Sequence, residues 1–166
     1  MELDSSVEYA DYLTASIDRV HHDAAHNTSL YEVDIRLGQQ HWKVHRTYTE
    51  FRRLKRHMIR TLDQPHSDSQ CKICRMVLES LQNHPFPRRS MFKQRATVTR
   101  SRQRNLNVFV GKLIHYIQMI RQYSNMFTEQ TQCSVMVCIH LIEEFLQVEY
   151  TRYIVFLESR SILTVY

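Results

Sequence analysis

At 166 residues, with hydrophobic residues at 43% and charged residues at 23%, the chain has the size and composition of one globular domain, which excludes disorder, collagen and coiled-coil arrays. Its two glycines, Gly38 and Gly111, exclude the dinucleotide and P-loop fingerprints, where several glycines let the backbone turn tightly against phosphate. The net charge of +5 is segregated: residues 1–34 carry eight acids against Arg19 alone, −7, which leaves +12 for the rest and predicts an anionic partner.

The opening Met-Glu-Leu-Asp-Ser-Ser has neither the basic start nor the apolar stretch of a signal peptide, and predicts a cytosolic chain with reduced cysteines. Lys112 and His140 interrupt the two best apolar runs before they reach the ~20 residues that span a bilayer, so any membrane contact is expected to be peripheral. Residues 8–19 read as a first strand, followed by a polar loop holding His21, His22 and His26. From Leu30, Tyr31, Val33, Ile35 and Leu37 alternate with polar partners, the chain turns at Gly38-Gln39, and Trp42 and Val44 resume the alternation; this predicts a β-hairpin. At Tyr48 the period becomes helical. Phe51, Leu54, Met58 and Leu62 share one face, Arg52, Arg53, Lys55, Arg56 and Arg60 surround it, and Thr49 can cap the start.

A polar break from Asp63 to Ser69 leads into another helical pattern, Cys71, Cys74, Leu78 and Leu81, which the prolines of His84-Pro85-Phe86-Pro87 terminate. Leu106, Phe109, Val110, Leu113, Ile114, Ile117 and Ile120 form the strongest helical stripe, and Val135, Cys138, Ile139, Ile142, Phe145 and Leu146 repeat it. Strands first and helices afterwards predict an α+β fold: a three-stranded antiparallel meander packed against a helical layer. One domain over residues 1–166 is expected, with its core at about 8–147 and an unassigned tail from 150 to 166.

Nothing in the sequence points to catalysis. It holds neither a G-x-S-x-G turn nor a paired-histidine metalloprotease motif, and Glu143-Glu144 reads as a solvated helix face. Cys71-Lys72-Ile73-Cys74 has the spacing of half a zinc site, which Cys133 with Cys138, His66 or His84 could complete. Both cysteines fall on an apolar stripe, however, where reduced cysteine behaves as a small core residue, and no metal or other cofactor is assigned. The distinctive stretch is 85–104, where seven cations (Arg88, Arg89, Lys93, Arg95, Arg100, Arg102 and Arg104) stand without one acid around Met91 and Phe92. A cationic loop with an apolar tip suits a membrane interface: lipid phosphates attract the rim while the tip enters the acyl boundary.

The order of these features resembles the PX (Phox homology) domain, the phosphoinositide-binding module of sorting nexins and oxidase subunits. Tyr31-Glu-Val-Asp-Ile followed by Trp42-Lys-Val-His-Arg-Thr-Tyr48-Thr-Glu-Phe51 is similar to the family's second and third strands running into its Arg-Arg-Tyr-Ser-x-Phe motif. Phe86-Pro87-Arg88-Arg89 resembles its proline-rich loop, and Arg102 resembles the arginine that opens the next helix. The resemblance implies that Tyr48 stacks on the inositol ring, that Arg89 meets the phosphate nearest the glycerol, that Arg102 binds ring hydroxyls or phosphate, and that Met91-Phe92 inserts into the membrane. Thr47 stands where members that bind phosphatidylinositol 3-phosphate place an arginine. Arg46, one step earlier, is the substitute candidate, although strand alternation puts it on the side of Trp42 and Val44. The Cys71–His84 helix also replaces a short connection.

The function implied is non-catalytic: binding of a phosphorylated inositol headgroup, with peripheral attachment to endosomal or other phosphoinositide-bearing membranes from the cytoplasm. The alternative is a degenerate PX fold acting as a protein–protein interaction module. Nucleic acid is not expected as a partner.

Overall fold

The computed structural model describes residues 12–64, 71–86, 95–122 and 133–149, together with Val155. Three strands, β1 (Leu13–Asp23), β2 (Thr28–Leu37) and β3 (Gln40–Thr47), form an antiparallel sheet in the order β1-β2-β3. The β2–β3 hairpin turns at Gly38, whose φ of 57° is a left-handed conformation that glycine adopts without a Cβ clash. Its register, Leu37 opposite Gln40 through Leu30 opposite Thr47, sends Tyr31, Val33, Ile35 and Leu37 into the core.

Of the first strand expected over residues 8–19, residues 8–11 lie outside the described residues, and the strand runs further than its pattern suggests, to Asp23. His21 and His22 belong to β1, and the loop shrinks to residues 24–27, where the Asp23 carboxylate accepts the amide N–H groups of Ala25 (3.0 Å) and His26 (3.3 Å). The alternation is obscured by a bulge between Ile17 and Arg19, which inserts a residue and shifts the period of two. That bulge also docks the sheet. Ile17 donates its N–H to Asn107 Oδ1 at 2.8 Å, and its carbonyl accepts Gln103 Nε2 at 3.1 Å.

Four helices follow: α1 (Tyr48–Leu62), α2 (Lys72–Gln82), α3 (Arg95–Gln122) and α4 (Ser134–Leu146). The cap of α1 is Thr47 rather than Thr49. Thr47 Oγ1 accepts the Glu50 N–H at 3.2 Å and Glu50 Oε2 accepts the Thr47 N–H at 2.6 Å, a reciprocal box that starts the helix directly at the end of β3. Phe51, Leu54, Met58 and Leu62 are buried as their spacing requires. α3 begins at Arg95, well before Arg102, because the sequence from 95 to 105 holds neither proline nor glycine to stop a helix whose apolar stripe begins only at Leu106. Arg95, Arg100, Arg102 and Arg104 are therefore helical residues and not part of a loop.

α4 is fixed by β3. Trp42 Nε1 donates to the Leu146 carbonyl at 3.0 Å, and Arg46 donates to the Phe145 carbonyl through Nε (3.0 Å) and Nη2 (2.8 Å), so the orphan carbonyls at the helix end are satisfied. Glu143 corrects the expectation of a solvated Glu143-Glu144 face. It is 4% exposed and accepts Nε and Nη2 of Arg121, both at 2.8 Å, across the α3–α4 contact.

On the outer face of the sheet, Glu32 lies between β1 and β3. Lys43 Nζ donates to Oε1 at 2.7 Å and His21 Nε2 to Oε2 at 3.0 Å; these bonds, Lys43 foremost, hold the Glu32 carboxyl down at about 2. A carboxylate held this low stabilises the fold above its ordinary value of 4.5 and ceases to do so as pH falls through about 2. An NMR titration should therefore find the Glu32 midpoint near 2, and Lys43→Ala should raise it toward 4.5, with the His21 hydrogen bond still holding part of the shift.

Candidate functional site

At the β3–α1 junction the capping box presents Tyr48 on the first turn of α1, 8% exposed. The Arg102 guanidinium, from α3, lies over the Tyr48 ring with Cζ 4.1 Å from the centroid. Phe86 stacks against the same tyrosine at 5.9 Å and 29°, and meets Phe109 edge-on at 5.0 Å. Lys55 of α1 places Nζ 4.9 Å from the Phe86 centroid and donates to the His84 carbonyl at 2.7 Å. An aromatic wall thus carries two cations, Arg102 over Tyr48 and Lys55 over Phe86.

The charge of this region registers on its neighbours. Burial raises the Tyr31 hydroxyl above its ordinary value, with Arg102 pulling against it. Burial, then Lys112 and Lys55, lowers His84, whose Nε2 sits 3.2 Å from the Asn105 carbonyl oxygen, and burial with Lys112 lowers Lys55. Among the described residues, Arg102 Nε and Tyr31 Oη are buried with no hydrogen bond of full geometry, but the two side chains face each other and Arg102 acts on the Tyr31 hydroxyl as a donor and as a charge. A guanidinium met only in part by its neighbours gains from acceptor oxygens offered to its remaining donors. The arrangement is therefore suited to an anion that brings such oxygens to a planar guanidinium.

Of the residues singled out from sequence, Tyr48 and Arg102 come together. With Arg102 over it and Phe86 stacked against it, the Tyr48 ring backs the guanidinium. Arg46 faces elsewhere: its side chain donates to the Phe145 carbonyl and, through Nη1, to the His45 carbonyl at 3.3 Å, while its Cζ lies 5.1 Å from the Phe145 ring. Arg89, Met91 and Phe92 lie outside the described residues. Three residues of the wall were not singled out as site residues: Tyr31, Lys55 and Phe86. Phe86 could have been weighted more heavily, since an aromatic residue held between two prolines is pre-ordered as a wall. Lys55 follows the buried Leu54 at the edge of the apolar stripe, where a long side chain can lay its stem along apolar surface.

A further cation, Arg100, lines an open cleft of about 540 Å³ between α3 and the sheet, shared with His22, Ser29, Thr99 and Gln103. No helix among the described residues is long and apolar enough to cross a membrane.

The family model for the PX domain matches residues 36–129, more than half the chain, from the end of β2 through α3. No curated protein matches the chain.

Proposed function

We infer that this chain, which belongs to the PX domain family, is a non-catalytic membrane-targeting module that recognises a phosphorylated inositol headgroup at the Tyr48–Arg102 site. The observation that carries the reading is the Arg102 guanidinium laid on Tyr48, beside a second cation, Lys55, laid on Phe86 of the same aromatic wall. In the bound state Arg102 directs its planar donors at phosphate or ring hydroxyl oxygens and Tyr48 holds it in place, while Arg89, three residues after the anchored Phe86, supplies a second phosphate contact. Met91 and Phe92, outside the described residues, are the apolar side chains assigned to membrane insertion, each adding about 1.5–3 kcal/mol when buried. Arg46 takes no part in the headgroup contact, because its donors are already committed to the end of α4. Attachment is peripheral, from the cytoplasmic side, to endosomal or other phosphoinositide-bearing membranes.

A second reading has one specific support. Thr47 stands where an arginine would be expected and is committed to capping α1, and Arg46 is committed to α4, as expected of a PX fold that has turned to a protein partner. Vesicle sedimentation across single phosphoinositides, each balanced with phosphatidylserine to the same net charge, separates the two. Headgroup recognition predicts that at least one phosphoinositide binds well above the charge-matched control. Equal binding to every composition would reject it.

A further inference from the structure

Cys71 is the N-cap of α2, Cys74 lies in the first turn of that helix, and Cys133 is the N-cap of α4. The chain brings the three sulfurs to one point: Cys133 Sγ is 3.3 Å from Cys71 Sγ and 3.1 Å from Cys74 Sγ, and all three lie within 4.8 Å of one another. The core packing that their sequence pattern suggests is present, with Cys74 in the core and Cys71 and Cys133 packed against it, but the meeting of the three sulfurs goes beyond it. Cys74 is buried, but Cys71 and Cys133 are half-buried, and Cys71 sits outside the helix whose apolar stripe it was expected to join. Cys133 occupies a position where Ser, Thr, Asp or Asn would accept a helix amide, yet its side chain makes no capping bond and faces the other two sulfurs.

Both helices aim the positive ends of their dipoles at this cluster, which works against the burial that raises the Cys74 and Cys133 thiols, and a bound cation would supply the remaining compensation. Tetrahedral zinc with Zn–S bonds of about 2.3 Å needs sulfurs roughly 3.8 Å apart, a separation that small side-chain rotations reach from the observed geometry. A disulfide would instead require two sulfurs to close to about 2.05 Å and would strand the third. The other convergence of ligand-type side chains, His21, Glu32 and His45, already has the Lys43 ammonium on its carboxylate.

We propose that Cys71, Cys74 and Cys133 bind one zinc ion as thiolates, joining the start of α2 to the start of α4, with the fourth position filled by a nitrogen or oxygen donor. Binding exchanges three S–H bonds for three Zn–S bonds and releases three protons to solvent, with no change of oxidation state. The inference does not depend on lipid binding. Its consequence for the fold is that α2, whose C-terminal end leads into His84 and Phe86, is tied at its other end.

The test is metal content of the full chain purified under reducing conditions without chelator. One zinc per chain is expected, with X-ray absorption showing three sulfur neighbours at about 2.3 Å. Cys71→Ser and Cys133→Ser should each lower zinc affinity at least about tenfold, while Cys138→Ala, which removes a buried thiol outside the cluster, should retain the ion. Should the serine variants misfold, cobalt added to the metal-free wild type gives the same answer through thiolate-to-cobalt charge-transfer absorption, and zinc should protect three thiols from alkylation. A metal-free chain that gains no such absorption, a disulfide among the three cysteines, or zinc held equally well by Cys71→Ser would each overturn the proposal.

Discussion

Arg102→Ala should lower affinity for vesicles bearing the preferred phosphoinositide by about one to two decades, while the thermal transition moves little. The size follows from the bonds lost: a charged hydrogen bond to phosphate contributes about 1.5–3 kcal/mol, and each 1.4 kcal/mol is tenfold in affinity. The small effect on stability follows from the environment of the free protein. The Arg102 side chain lies on the Tyr48 ring and beside the Tyr31 hydroxyl without a hydrogen bond of full geometry, so its removal gives up a cation–π contact and a weak polar contact only. Tyr48→Leu keeps most of the apolar volume and removes the platform, so it should weaken vesicle binding in the same direction by letting the guanidinium lose its fixed orientation. Arg46→Ala provides the contrast. Its donors serve the end of α4, so it should destabilise the fold by about 1 kcal/mol or more and leave headgroup affinity near wild type. Isothermal titration with a soluble inositol phosphate, run beside thermal melts, reads both quantities. If Arg46→Ala lost affinity and Arg102→Ala did not, the site would belong on the other side of β3.

What sequence reasoning could see depended on whether one residue's role is set by its neighbours in the chain or by contacts across the fold. The hairpin through Gly38 and the α1 stripe of Phe51, Leu54, Met58 and Leu62 are local periodic patterns, and the structure places them as read. The side of β3 that Arg46 faces was equally readable, since alternation with Trp42 and Val44 fixes it. The exact end of β1 was not, because a bulge at Ile17–Arg19 shifts the period and its justification lies in Asn107 and Gln103, far along the chain. Thr47 and Thr49 both make plausible caps, and what decides is a three-residue spacing to Glu50, which only Thr47 has. At the site, the Tyr48 and Arg102 pairing came from the family resemblance alone. The stacking of Phe86 on Tyr48 joins residues 38 positions apart, and no periodicity reports such a contact. The thiol cluster is similar. The Cys71–Cys74 spacing was visible, but Cys133 joins it only because α2 and α4 pack with their N-termini together.

Glu143→Ala should be among the most destabilising single changes in the protein, on the order of 3–5 kcal/mol, because it leaves the Arg121 guanidinium buried without its carboxylate. Both Arg121 bonds are 2.8 Å in a bidentate fork, and the two side chains are only 4% and 5% exposed, so water cannot replace the missing partner. His140, 3.4 Å from Glu143 Oε2 but 64% exposed, is placed to share the carboxylate without enclosing it. For a chain of this size the loss corresponds to a fall in melting temperature of roughly 6–20 °C. The pair need not contribute net stability, since removing two charges from water costs about what their attraction returns. Arg121→Met combined with Glu143→Leu, which fills the same space with apolar atoms, should therefore lie close to wild type and far above either single variant. That non-additivity, several kcal/mol in a double-mutant cycle of melting or urea transitions, distinguishes a buried ion pair from two independent packing residues. Single losses that simply summed in the double variant would show that Arg121 and Glu143 hold α3 to α4 by their aliphatic portions, and the pairing seen across that contact would then carry no part of the helix–helix specificity.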